Sequence, residues 1–158
     1  MSAWVLLAHV AVAFWFVAGL VGRDVTLAMA RRSDRIDVVS ALAVLAGRFD
    51  RWMVIPGSMA VLILGILTAS ARGVSFTAAE SRWLPLALLL FLSMIPLVPL
   101  VFVPRGKVFD AALAQAQEVG GVTPELTAAF SDRAVLGARM YERIAVSLII
   151  VLMVVKPF

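Results

Sequence analysis

One histidine, His9, is present in the 158 residues, and it lies inside an otherwise uncharged apolar stretch. An imidazole there offers two kinds of chemistry. It can stand neutral in a protein core, hydrogen-bonded to a neighbouring helix through Ser93, Thr68 or a backbone carbonyl. It can also ligate a haem iron, for which imidazole nitrogen is the commonest protein ligand. At 100° per residue His9 shares a helical face with Val12, Ala13, Phe16, Leu20 and Arg23. Fourteen residues separate the imidazole from the Arg23 guanidinium, about 21 Å along a helix. One haem cannot touch both in a straight line, and Arg23 also reads as the charge that stops the helix at the membrane surface. For a haem b on His9, Met94 is the candidate second axial ligand, brought inward by the Pro96 kink.

A second set of residues that could do chemistry combines both signs of charge. Arg48, Asp50 and Arg51 precede one apolar block, and Arg139, Glu142 and Arg143 precede another. Charges at membrane depth pair with one another, so Asp50 and Glu142 are the expected counter-ions. The cluster could hold an anionic substrate or lipid headgroup, or it could fasten helices together. No phosphate loop and no paired-histidine zinc pattern occurs. There is no second histidine to activate a serine. The absence of cysteine excludes disulfides, thiolate metal sites and thiol catalysis.

The elements that must position these residues are membrane helices. The chain is 63% hydrophobic and 15% charged, outside the range of soluble domains. Spanning ~30 Å of hydrocarbon takes ~20 residues of helix. Blocks of that length run from 3 to 22, 52 to 71 and 83 to 104, with Trp4, Trp52 and Trp83 near their ends, where amphipathic rings prefer the headgroup level. The first block has no preceding basic residue and no small-residue cleavage motif, so it reads as a retained span. A fourth span is expected over about 136–155, as the last two-thirds of one helix beginning at Thr123-Pro124-Glu125: a capping hydroxyl, a proline at the first position and a dipole-matched acid. Short amphipathic surface helices are expected at Asp34–Ala46, stopped by Gly47, and at Lys107–Glu118, stopped by Gly120-Gly121. Ala18 and Gly22 form a pair of small residues that would allow close packing of the first helix. The fold class is therefore all-α: a four-helix transmembrane bundle, residues 1–158 forming a single integral membrane domain, with short cytoplasmic amphipathic helices.

Lysine and arginine decide the orientation. The first and third connections hold eleven of them, and the remaining three lie on the other face. The positive-inside rule places the eleven in the cytoplasm and both termini outside, in a bacterial cytoplasmic (inner) membrane. Basic residues at headgroup level account for the net charge of +4, so nucleic acid is not an expected partner. The expected partners are the lipid bilayer and other membrane subunits or a second copy of the chain. The expected role is a non-catalytic accessory subunit, with a haem- or porphyrin-binding redox protein as the alternative.

The run of His9, Trp15, Gly19 and Arg23, then Arg31-Arg32-Ser33-Asp34, Arg48-Phe49-Asp50-Arg51 and Pro56-Gly57-Ser58, resembles a family of small bacterial integral membrane proteins of unknown function. That resemblance covers essentially the whole chain and implies no activity. More distantly, the histidine, the tryptophan six residues on and the arginine at the inner end are similar to HemJ-type protoporphyrinogen oxidases, four-helix haem-binding membrane proteins. Only His9 and Arg23 carry over. The lysine of a later helix region in those enzymes has no counterpart, since the lysines here are Lys107 and Lys156. The resemblance implies haem or porphyrin binding at His9 and argues against the oxidase activity.

Overall fold

The computed structural model describes residues 2–74 and 81–156. Among them the chain is helical and contains no strand. The helices are α1 (Ser2–Ala30), α2 (Ile36–Phe49), α3 (Ile55–Ala71), α4 (Trp83–Met94), α5 (Val103–Val119), α6 (Pro124–Phe130) and α7 (Arg133–Val155). A π turn, Asp50–Val54, joins α2 to α3, and a second, Val98–Phe102, leads into α5. Two continuous rods result, Ile36–Ala71 and Trp83–Val119, of 36 and 37 residues. Each is about 54–56 Å long at the standard rise. With Ala3–Ala30 they are, among the described residues, the three helices long and apolar enough to cross a membrane.

The expected surface helices are therefore the ends of longer rods. Helix α2 runs through Gly47, where a Cβ would meet nothing within 4 Å. Glycine inside a helix costs only about 1 kcal/mol, too little to end one whose flanks remain helical. Gly120, at φ +77°, does end α5 just after Val119, because the left-handed conformation it adopts is open to glycine. Thr123 caps α6 as expected, accepting from the Leu126 amide at 3.3 Å, with Pro124 at the first position. The single helix expected from there to Val155 is broken at Ser131-Asp132. Asp132 leaves helical geometry and accepts from the Ala134 and Val135 amides at 2.8 and 3.3 Å, a new N-cap that starts α7.

The helices group into two compact units. Met1–Val74 with Gly120–Val122 form the first, and Ser75–Val119 with Thr123–Phe158 the second. In the first unit α1 packs along α2, the π turn and α3. Between apolar helices in lipid the association comes from close van der Waals packing rather than from the hydrophobic effect, so small residues mark the contact. A Cβ on Gly19 would stand 2.6 Å from the Met53 Cβ, one on Gly22 2.7 Å from the Phe49 ring, and one on Gly57 3.1 Å from the Phe16 Cβ. Gly19 and Gly22, rather than Ala18 and Gly22, face the neighbouring rod; Ala18 is exposed. In the second unit α4 packs on α7, and α5 on α6 through an edge-to-face pair of Phe109 and Phe130 with ring centroids 4.9 Å apart.

Candidate functional site

The expected face of α1 is the packed one. Phe16, Leu20 and Arg23 are all buried, and Arg23 is 4% exposed. A guanidinium that far from water needs counter-charge. It has two. Nε donates to Asp24 Oδ1 at 3.2 Å, and Nη1 donates to Asp50 Oδ1 at 3.2 Å across the interface with the π turn. The planar fork of arginine allows one side chain to serve both carboxylates. Asp50 thus answers the arginine of another helix rather than Arg48 or Arg51 beside it. Asp24 was not singled out from sequence, although a buried arginine followed at once by an aspartate is the signal that could have found it.

The π turn has a local cause. In a regular helix the Trp52 carbonyl would accept from residue 56, and Pro56 has no N–H. The ladder widens instead, with the Ile55 amide bonding to the Asp50 carbonyl five residues back. The Trp52 carbonyl accepts from the Trp15 indole N–H at 3.3 Å. Proline in the rod thus frees an acceptor that ties α1 to it, about two turns of α1 from Arg23.

His9 is half-buried between α1 and α3. Its ring lies against Gly65, where a Cβ would approach Cε1 to 3.2 Å, and makes a hydrogen bond with the Val61 backbone, the neighbouring-helix backbone partner that was one of the alternatives expected. Nδ1 is buried and has no hydrogen-bond partner among the described residues. The two side chains expected as partners are engaged elsewhere. Thr68 Oγ1 donates to the Leu64 carbonyl of its own helix at 2.6 Å. Ser93 gives its single proton to the Leu90 carbonyl at 2.7 Å, so the Tyr141 phenol is the donor in their 2.5 Å contact.

Met94 is buried at the end of α4 in the second unit. Glu142 is buried on α7 there, with Arg139 and Arg143 on the same helix. Arg105 at the start of α5 holds Asp132, the cap of α7, at 3.0 Å. Lys156 lies 5.3 Å from the Trp83 ring centroid, a cation–π contact at the opposite end of α7. Among the described residues no group of three or more metal-ligating side chains assembles.

A haem would need an imidazole nitrogen and a cation for its propionates. His9 meets the first only in part: Nδ1 is buried without a hydrogen bond, while the ring is already hydrogen-bonded to the Val61 backbone of α3. Arg23 does not fit the second, since its charge is already matched by the carboxylates of Asp24 and Asp50.

A family profile described as "Predicted integral membrane protein (DUF2269)" matches residues 3–157, and the chain belongs to that family. No curated protein and no solved structure matches it.

Proposed function

From membership of an integral membrane family we propose a four-span, non-catalytic component of a larger assembly in the bacterial inner membrane, with both termini outside. Its companions are other membrane subunits or further copies of the same chain. One observation carries this reading: Arg23, the charged residue best placed for a ligand, is used by Asp24 and Asp50 to hold α1 to its neighbour. What the first unit presents outward is apolar and aromatic, with Trp4, Leu7, Val10, Phe14, Trp15, Val21, Val25 and Met29 exposed at successive turns along α1. Helix α7 supplies the fourth span, its charged first half at the inner boundary and its apolar half, Ile144–Val155, in lipid. Photo-reactive residues at positions 10, 14 and 25, activated in intact membranes, should give discrete protein adducts. Adducts to lipid alone at all three positions would defeat the proposal.

A second reading is supported by the buried, unpartnered Nδ1 of His9: haem b bound through this imidazole. It predicts a Soret band in the purified protein, lost in His9→Ala while the helical content persists. A colourless preparation after expression with ample haem would remove it.

A further inference from the structure

Two arginines of the expected inner-boundary cluster make no side-chain polar contact among the described residues. Arg48 and Arg51 are exposed, and neither side chain has an ion-pair or hydrogen-bond partner among the described residues. The carboxylate lying between them in sequence, Asp50, is part-exposed and pairs with the buried Arg23 at 3.2 Å rather than with either of them. The buried pairing thus leaves two uncompensated guanidinium groups about one helical turn apart. Trp52, 69% exposed, stands beside them, and Ile55, Met59 and Ile63 continue along the rod as exposed aliphatic side chains. Positive charge, an interfacial indole and a strip of aliphatic surface follow one another along a single helix that enters the bilayer.

We propose that Arg48, Arg51 and Trp52 form a binding site for the headgroup of an anionic phospholipid, with its acyl chain along Ile55, Met59 and Ile63. A phosphodiester accepts charge-assisted hydrogen bonds from guanidinium groups in fork geometry. A zwitterionic lipid brings its own cation and gains less from two arginines. Indole prefers the headgroup level, which sets the depth. The site rests on membrane insertion and not on the accessory role, so either can fail without the other.

The test is a titration of the detergent-solubilised full chain with phosphatidylglycerol, phosphatidylcholine and glycerol phosphate, with bound adducts counted by native mass spectrometry. An arginine near an anionic membrane surface contributes a preference of about fivefold. Arg48→Gln/Arg51→Gln should therefore weaken phosphatidylglycerol binding about 25-fold, and either single change about fivefold, with melting temperature unchanged. Arg31→Gln/Arg32→Gln removes the same charge elsewhere in the unit and should change binding less than twofold. Equal weakening in both double variants would reduce the effect to net charge and overturn the site. So would equal affinity for phosphatidylcholine, or glycerol phosphate binding as tightly as the lipid. If the double variant does not fold, the two single variants decide by the same criteria.

Discussion

Replacing Arg23 by methionine keeps the volume and removes the charge. The side chain is 5% exposed, against 15% for Asp24 and 40% for Asp50. Its loss removes the cation that these two carboxylates share in the α1 contact. Breaking a buried pair by deleting one partner costs about 3–5 kcal/mol, most of it the uncompensated charge left behind. Asp50 can recover hydration through its exposed side and Asp24 cannot, so the expected loss is at the lower end, about 3 kcal/mol. Arg23→Met/Asp50→Asn should then be less destabilised than the sum of its single changes, with a coupling of about 1–2 kcal/mol. Arg23→Lys should fall between, because one ammonium on a flexible stem does not reproduce a fork that serves two carboxylates. The assay is reversible unfolding in mixed micelles, followed by circular dichroism. Arg23→Met within about 0.5 kcal/mol of the parent, the range of ordinary surface changes, would refute the structural role of this arginine. Strict additivity in the cycle would refute its coupling to Asp50.

Two further predictions concern helix contacts and caps. Gly19→Ala must push a Cβ against the Met53 Cβ, which is fixed to backbone, so overpacking outweighs the helix-propensity gain and the expected net loss is about 1–2 kcal/mol. Gly47→Ala meets nothing within 4 Å and should gain up to about 1 kcal/mol in the same unfolding assay, and identical signs for the two would contradict the packing described. Asp132→Ala removes both the α7 cap and the partner of Arg105, and should cost about 1–2 kcal/mol with faster amide exchange at Ala134 and Val135; unchanged exchange there would reject the cap.

Three of the apolar spans were legible because their signal is compositional: about twenty apolar residues bounded by arginine and tryptophan leave little else for the chain to do. The fourth, over about 136–155, is not among the helices long and apolar enough to cross a membrane. Caps at Thr123 and the stop at Gly120 were legible for a local reason, a hydroxyl before proline and a glycine able to take positive φ. The helix limits were not. Gly47 reads as a stop in isolation, but its modest cost is outweighed by a rod that stays helical on both sides. Ser131-Asp132 carries a capping signature that the continuous helical pattern around it conceals. At the candidate site, the buried face of α1 followed from periodicity, and the need of Asp50 for a cation followed from electrostatics. The cation it takes is Arg23, on a different helix, where the start of the π turn packs against α1. That choice depends on tertiary contact and has no counterpart in spacing. For His9 a polar group facing inward was legible from the sequence, and the structure supplies its partner as the Val61 backbone rather than the Thr68 hydroxyl, which is engaged on its own helix.

The accessory role is tested most directly by the mass of the particle when it is excised with its surrounding lipid and never exposed to detergent. The chain itself is 17.0 kDa. The account predicts a protein mass that is a multiple of this value, or a larger sum containing other membrane subunits, and stable on dilution. A single 17.0 kDa chain per particle at every concentration, turning over a substrate unaided, would contradict it.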